Sequence, residues 1–393
     1  MRITRLVWAS VLLSVLIGLL VGCGVAQGPN RDSQSTVDRL PSEFERLAEV
    51  WELLEAEHID GTSLDAQAIS DGAIRGMLEA LDDPYTAFFD PEQYKIATQD
   101  LKGFFEGIGA EVGLREGKIT ILAPMPESPA EKSGIRPGDV ILRIQGVSAE
   151  GISLMEAVSR IRGKKGTTVE LLILHLDNAE PVTIVVIRGV IPLTSVRFLM
   201  LDDNIGHLRL FNFAETTNKD LLKALETFNE AGGTGLVVDL RNNPGGLLSA
   251  VVDVGSQFIK DGLVLYQIDA QGKRTDWKVK SGGKAGDIPV VVLVNEFSAS
   301  ASEVFTGAML DHRRATVVGV TTFGKGSVNN LWPLRDGSGV NFTIARWYTP
   351  NGTLIEGEGI TPDIVMEKAG DGEPDVQLAR AIEILQEQIA QGT

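Results

Sequence analysis

A serine and a lysine in small-residue segments are the side chains of this sequence best suited to nucleophilic chemistry. Ser300 lies in residues 298–303 (SASASE), and Lys325 lies in residues 323–326 (FGKG). A serine hydroxyl needs a base before it attacks a carbonyl carbon. A lysine is such a base only while its amine is neutral, and burial away from counter-charges favours the neutral form. If the fold brings the two side chains together, the pair is suited to acyl transfer.

The serine lies where a predicted buried strand, residues 289–294, gives way to a predicted helix that begins at about Ala301. Small neighbours leave room for a substrate backbone, and the start of a helix favours negative charge. Ser300 and Glu303 also have the spacing of a capping box, in which the hydroxyl only caps the helix. Residues 298–303 alone are equally consistent with capping and with catalysis.

The lysine follows another predicted strand, residues 315–320, and its loop allows two alternatives to catalysis. We expect the apolar Phe323 and the adjacent strands to bury the amine. One alternative is a surface lysine in a glycine turn. The other is a phosphate loop, because residues 319–325 read G-x-x-x-x-G-K. However, Gly326 occupies the position where that motif requires a magnesium-binding Ser or Thr.

A second strand-to-helix junction, residues 239–246 (DLRNNPGG), is suited to binding a developing negative charge. It joins a predicted buried strand, residues 236–240, to a predicted helix, residues 247–259. Gly245 and Gly246 allow a tight turn with exposed N–H groups, which would stabilise a tetrahedral oxyanion. A plain glycine-rich turn is the alternative interpretation.

The composition argues against several other functions. The chain has 393 residues, a formal net charge of −17, one Cys and four His. An acidic protein repels nucleic-acid phosphates, so we predict no nucleic-acid partner. The histidines are scattered without metal-ligand spacing, so we predict no metal and no cofactor. A Ser-His-Asp arrangement is disfavoured, because His312 lies at the far end of the helix that begins beside Ser300.

The N-terminus predicts export. Arg2 and Arg5 precede an apolar run over residues 6–21, which is short for a membrane span and suits the core of a signal peptide. Residues 20–23 (LVGC) resemble the lipobox of bacterial lipoproteins, which implies cleavage before Cys23 and lipidation of that thiol. A simple signal peptide or anchor with an incidental Cys is the alternative. We therefore expect a protein of the bacterial cell envelope, held outside the cytoplasm by a lipid at Cys23.

Changes in hydrophobic pattern divide the chain into segments. We predict a signal peptide (1–22), a polar tether (23–40), a helical region (41–103), a module of short strands (104–190), an α/β core (191–368) and a helical tail (369–393). Within the module, residues 107–112 are a candidate strand, and Ser153 is a candidate helix cap.

Several stretches, in this order, resemble the carboxyl-terminal processing peptidases, which are serine peptidases of bacteria and plastids. Besides the three segments described above, they are residues 78–88 (LEALDDPYTAF), 348–350 (YTP) and 359–363 (GITPD). The resemblance implies an α/β, crotonase-like peptidase core with Ser300 as nucleophile and Lys325 as general base. It also implies oxyanion donors from the Gly245–Gly246 turn and the Ala301 backbone.

The resemblance implies a supporting amide and a PDZ domain as well. Many members carry a glutamine four residues after the lysine, where this chain has Asn329, whose shorter arm puts its reach to Lys325 in question. A PDZ domain over residues 104–190 would bind a peptide C-terminus as an added strand. Its carboxylate loop would be Gly107, Ile108, Gly109 and Ala110, with Leu154 and Val158 in the side-chain pocket. In the family this domain can gate the active site.

Together these observations predict a serine endopeptidase that processes or degrades exported proteins from or near their C-termini. Its partners would be polypeptide ends and, through the lipid, the membrane, with a homodimer and an adaptor protein as further possibilities. A non-catalytic PDZ scaffold on an inactive peptidase core is the second hypothesis, supported only by Asn329. Covalent labelling of Ser300 distinguishes the two.

Overall fold

A computed structural model of the protein describes residues 40–115, 117–176, 180–368 and 374–391. The predicted signal peptide and Cys23 lie outside the described residues. Within these ranges, no helix combines the length and the apolar character needed to cross a bilayer.

The sequence predicted a helical region over residues 41–103, but the structure shows a strand within it. Its elements are α1 (Glu45–Glu57), α2 (Ala66–Glu79), β1 (Ala87–Phe89) and α3 (Pro91–Leu101). The strand β1 interrupts the helices because it pairs antiparallel with a strand of the α/β core, residues 339–348. No residue of α1 or α2 is buried, whereas Phe88 and Phe89 of β1 are. The region therefore docks on the core through its C-terminal part.

The module of short strands forms its own antiparallel sheet and hydrophobic core. Its elements are β2 (Phe104–Gly107), β3 (Ala110–Arg115), β4 (Lys118–Pro124), α4 (Pro129–Lys132), β5 (Val140–Ile144), β6 (Val147–Ser148), α5 (Leu154–Ile161), β7 (Thr168–Leu174), β8 (Val182–Ile187) and β9 (Gly189–Pro192). The sheet order is β3-β4-β5-β7-β8, so β3 is an edge strand. The predicted cap is confirmed, since Ser153 Oγ accepts a hydrogen bond from the Glu156 N–H at 3.1 Å.

The single predicted strand over residues 107–112 is wrong. Gly107 ends β2, which pairs with β9, and Ala110 begins β3. The chain changes direction between them at Gly109, whose φ of +75° favours glycine. One stretch of apparent strand thus supplies two different sheets.

The α/β core that the sequence predicted is confirmed. The strands predicted over residues 236–240, 289–294 and 315–320 and the helix predicted over 247–259 are found to within about two residues at their ends. The elements of the core are β10 (Val196–Met200), β11 (Ile205–Leu210), α6 (Thr217–Glu230), β12 (Gly235–Asp239), α7 (Leu248–Phe258), β13 (Leu263–Asp269), β14 (Arg274–Lys278), β15 (Val290–Val294), α8 (Ala301–Asp311), β16 (Thr316–Gly319), β17 (Ser327–Pro333), β18 (Gly339–Tyr348), β19 (Ile364–Val365) and α9 (Val376–Gln391).

The central sheet has the order β10-β11-β12-β15-β16-β19 and is parallel except for β10. Every residue of β12 and β15 is buried, because helices cover both faces. Val290 and Val292 pack in the larger core, which includes residues of α7 and α8, whereas Val291 packs with Leu385 of α9. A second sheet joins β1, β18, β13 and β14, and β17 pairs with β18.

The parallel strands explain why three distant segments meet. Loops that follow parallel strands leave the sheet at the same edge. The segments containing residues 239–246, 298–303 and 323–326 follow β12, β15 and β16, which are neighbours in the sheet. All three segments with candidate chemistry therefore lie at one edge.

Candidate active site

Ser300 lies on a strained turn between β15 and α8. Its φ of 55° and ψ of −116° are unusual for a residue with a side chain, and it is fully buried. Its Oγ has no hydrogen-bond partner among the described residues. The Glu303 N–H donates instead to the Ser300 carbonyl oxygen at 2.9 Å. The Glu303 carboxylate also accepts from the Ser300 N–H at 2.8 Å, so Ser300 and Glu303 form the predicted capping box at the start of α8.

Lys325 is also fully buried, in the loop between β16 and β17. Its Nζ lies 4.9 Å from the centroid of the Tyr85 ring. Phe323, which was expected to help bury the amine, is itself 42% exposed. An aromatic residue of the N-terminal region contacts the amine. The phosphate-loop alternative is wrong, because the loop leads into a strand rather than into the helix whose N-terminus would hold a phosphate.

The carboxylate of Glu303 connects the serine and lysine segments. Its Oε2 accepts hydrogen bonds from the backbone N–H groups of Ser300 and Lys325, both at 2.8 Å. Its Oε1 accepts from the Gly324 N–H and from Thr322 Oγ1, both at 2.6 Å. Burial raises the pKa of Glu303, although these four hydrogen bonds act in the opposite direction. Sequence reasoning had identified Glu303 only as a capping partner and had missed this connection.

The glycine turn packs directly against the serine. A Cβ atom on Gly245 would lie 2.8 Å from Ser300 Cβ and 2.7 Å from the Ala299 carbonyl oxygen, so only glycine fits. Gly245 and Gly246 have φ values of +102° and +144°. Ala301 follows the serine as the first residue of α8. Gly245 thus lies against Ser300 and Ala301, whereas the neighbouring Gly246 packs against the backbone of Phe213.

Asn243, which sequence reasoning had missed, fastens the glycine turn to the serine segment. Its carbonyl oxygen accepts from the Ala299 N–H at 3.0 Å and from Ser302 Oγ at 2.9 Å. Its Oδ1 accepts from the Gly245 N–H at 2.9 Å. This buried residue therefore holds the serine segment through its backbone carbonyl and the glycine turn through its side chain, which occupies the Gly245 N–H.

Asn329 lies on β17 beside Tyr85, the residue whose ring contacts Lys325. Its Nδ2 donates to the Tyr85 carbonyl oxygen and to Thr343 Oγ1, both at 3.2 Å, and its Oδ1 accepts from Ser327 Oγ at 3.1 Å. The amide thus holds the backbone of Tyr85, whose ring contacts the lysine.

The predicted peptide-binding residues lie in the module of short strands, residues 104–192. Ile108 and Gly109 form the loop that leads into β3, and Ile108 is buried in the core of the module. Leu154 and Val158 are half-buried on α5, which packs beside β3. The edge strand β3, the loop before it and the helix α5 are therefore neighbours in the module.

The histidines form hydrogen bonds with groups other than Ser300. His175 Nδ1 lies 2.7 Å from Asp139 Oδ1, and His312 Nε2 lies 2.7 Å from the Leu263 carbonyl oxygen. His207 Nε2 lies 3.1 Å from Asp239 Oδ2, and His58 Nδ1 accepts from the Asp60 N–H. None of them is a hydrogen-bonded base for the serine.

Family models match most of the chain. Peptidase family S41 matches residues 204–366, the PDZ domain matches 99–174, and the Activating protease CtpB N-terminal domain matches 24–93. The carboxy-terminal processing protease CtpA of Bacillus subtilis is 38% identical over 336 residues, which cover 85% of this chain and 71% of that protein. The chain belongs to the carboxyl-terminal processing peptidases of family S41.

Further comparisons agree with this assignment. CtpB of the same bacterium is 37% identical over 330 residues, covering 83% of this chain and 68% of that one. The solved structure of the photosystem II D1 C-terminal processing protease is 30% identical, with a TM-score of 0.50, and the match covers 84% of this chain and 94% of that one. This S41 peptidase is therefore a serine-type peptidase with N-terminal helices, a PDZ domain, an α/β core and a C-terminal helix.

Proposed function

We propose that this S41 peptidase cleaves peptide bonds through an acyl-enzyme at Ser300, with Lys325 as the general base. The observation that carries this proposal is the shared carboxylate of Glu303, which binds the backbone N–H groups of both residues at 2.8 Å. A nucleophile and its base must be held in one geometry to react. A single buried acceptor between their two loops provides such a support.

The reaction begins when the neutral Lys325 amine takes the proton from Ser300 Oγ as that oxygen attacks the substrate carbonyl carbon. The oxyanion that forms is stabilised by backbone N–H donors of the glycine turn and of Ala301. Because the Gly245 N–H donates to Asn243, we assign the donor role to Gly246 and Ala301. Lys325 then donates its proton to the leaving amine. In the second step the neutral Lys325 takes a proton from a water molecule that attacks the acyl carbon, and it returns this proton to Ser300 Oγ as the acid product leaves.

Burial of the pair supports this chemistry and also requires a conformational opening. Both residues have no exposed surface, and burial disfavours the charged form of an amine. A substrate reaches Ser300 only after neighbouring groups move, and we propose that the PDZ domain controls this movement. The 2.8 Å ion pair between Arg162 and Asp100 connects this domain to α3, and the Leu101 carbonyl oxygen of α3 accepts from the Glu215 N–H of the core at 3.0 Å.

Fluorophosphonate labelling tests the proposed nucleophile. A serine with a functional base is expected to form a covalent adduct, which intact and peptide mass spectrometry would locate at Ser300. Ser300→Ala is the matched control and is expected to give no adduct. If the protein folds, meets a peptide substrate and remains unlabelled, the non-catalytic scaffold becomes the better description.

We propose that the PDZ domain binds the free C-terminus of a polypeptide substrate. This is supported by the unpaired edge of β3 and by the half-buried Leu154 beside it. Leu154→Asp is expected to weaken binding of a peptide with a free carboxylate at least tenfold by calorimetry. Val185→Asp, at an exposed position of β8 on the opposite edge of the sheet, is the matched control and should bind normally. Equal binding of the amidated peptide would contradict the proposal.

The location and assembly of the protein stay predictions. Lipidation of Cys23, attachment to the cell envelope and an adaptor partner depend on the sequence alone. A homodimer through the N-terminal helices is supported by apolar side chains that are at least half exposed on and beside α1 and α2: Leu47, Val50, Leu53, Met77 and Leu81. Sedimentation velocity would refute the dimer if the protein stayed monomeric at micromolar concentrations.

A further inference from the structure

The aromatic ring that contacts Lys325 comes from outside the α/β core. Tyr85 lies in the turn between α2 and β1, and Lys325 Nζ stands over its ring, 4.9 Å from the centroid. The face of an aromatic ring attracts a cation at distances up to about 6 Å. The contact therefore favours the ammonium form of the amine that the proposed mechanism protonates.

Hydrogen bonds to strands of the core hold the turn that carries Tyr85. Asp83 Oδ1 accepts from the Tyr85 N–H at 3.0 Å, and Asp83 Oδ2 accepts from Thr343 Oγ1 of β18 at 2.7 Å. The Tyr85 carbonyl oxygen accepts from Asn329 Nδ2 at 3.2 Å and from Asn341 Nδ2 at 2.9 Å. These bonds fix the N-terminal turn to β17 and β18, so the ring has a defined position beneath the amine.

Burial and nearby carboxylates keep the hydroxyl of Tyr85 neutral. Burial, together with the nearby carboxylates of Glu356, Glu303 and Asp83, raises the pKa of Tyr85 to about 12, against the effect of Arg346. The phenol is therefore uncharged over the working range of a peptidase. Its influence on Lys325 comes from the face of the ring and not from a phenolate.

We infer that Tyr85 is a positioning residue for Lys325, and that through it the docking of the N-terminal region on the core sets the position of the base. This inference rests on the proposed role of Lys325. Ser300 Oγ has no hydrogen-bond partner among the described residues, so the structure shows the amine before it forms a hydrogen bond with the serine. In this state the amine lies over the Tyr85 ring. If the turn that carries Tyr85 were displaced from the core, Lys325 would lose its contact with the ring.

The pH profile of kcat/KM tests the contact, because a merely structural residue would not move it. Without the ring face, the ammonium form is less stable relative to the neutral amine, so the amine takes up a proton only at lower pH. We expect Tyr85→Leu to shift the acidic limb to lower pH by roughly 0.5 unit. We also expect it to lower kcat at least tenfold, since the amine loses a contact that positions it. Tyr85→Phe keeps the ring and should retain the wild-type limb.

A second comparison covers the case in which the leucine variant fails to fold. Pentafluorophenylalanine at position 85 keeps the shape of phenylalanine but reverses the charge distribution of the ring face. Its acidic limb should lie below that of Tyr85→Phe. Equal limbs for these two rings, or an unchanged limb in a folded Tyr85→Leu, would overturn the inference. Lys325→Ala in the same assay separates this inference from the proposed function. An active Lys325→Ala would show that Lys325 is not the general base, whatever the Tyr85 variants do.

Discussion

Lys325→Ala is expected to lower kcat for a peptide substrate by at least about 10³-fold while the protein stays folded. No side chain among the described residues forms a hydrogen bond with the Ser300 hydroxyl, so removal of the Lys325 amine leaves the hydroxyl without a base, and it stays protonated. Ser300→Ala should cause a loss of similar size. Because the two residues act in one step, the double variant should be hardly worse than either single variant. Steady-state cleavage of a fluorogenic peptide measures all three.

A matched lysine provides the control for this first prediction. Lys260 is exposed and pairs with Asp287 on the surface of the core. Lys260→Ala should retain kcat within about twofold, since exposed ion pairs contribute little. Substantial turnover by Lys325→Ala, or losses that multiply in the double variant, would show that the two residues do not work as a pair.

Glu303→Gln is expected to reduce both stability and activity. An amide has one acceptor oxygen, so at least some of the four donors that now meet the carboxylate would lose their partner. Each buried donor without a partner costs about 1–3 kcal/mol. We expect the free energy of unfolding to fall by about 2–4 kcal/mol in urea titrations. We expect kcat/KM to fall at least 10²-fold, because small displacements of a nucleophile and its base have large effects on rate.

Glu296→Gln is the matched control for the second prediction. Glu296 lies in the same β15–α8 connection but is exposed. This variant should keep both wild-type stability and wild-type kcat/KM. If Glu303→Gln were equally harmless, the shared carboxylate would not be what holds the serine and lysine loops in register.

The sequence was informative about the catalytic segments because each follows a strand with a strong local pattern. The valine-rich run of β15 and the apolar run of β12 predicted buried strands, and small or glycine residues marked the junctions after them. Ser300, Lys325 and the glycine turn could be identified in this way. The proximity of the segments followed only from the parallel pairing of these strands in the structure, because loops after parallel strands share an edge.

Contacts between distant segments were beyond sequence reasoning. Ala87–Phe89 has no pattern that distinguishes a strand in a helical region, and it becomes a strand only by pairing with β18. Asn329 and Tyr85 are separated by 244 positions, so no local spacing indicates their hydrogen bond. The burial of Lys325 was expected, but the residue expected to cause it, Phe323, is exposed.

The sequence by itself determined which groups could react: a serine at the start of a helix, a glycine-flanked lysine and a glycine turn, each after a buried strand. It could do so because hydrophobic periodicity and turn chemistry are local properties of the chain. Only the tertiary structure decided what holds these groups. Glu303 and Asn243 connect segments that are far apart in the chain, and Tyr85 brings an aromatic face from the N-terminal region to the amine. Such supports arise from packing between elements, and packing partners leave no mark in the spacing of neighbouring residues.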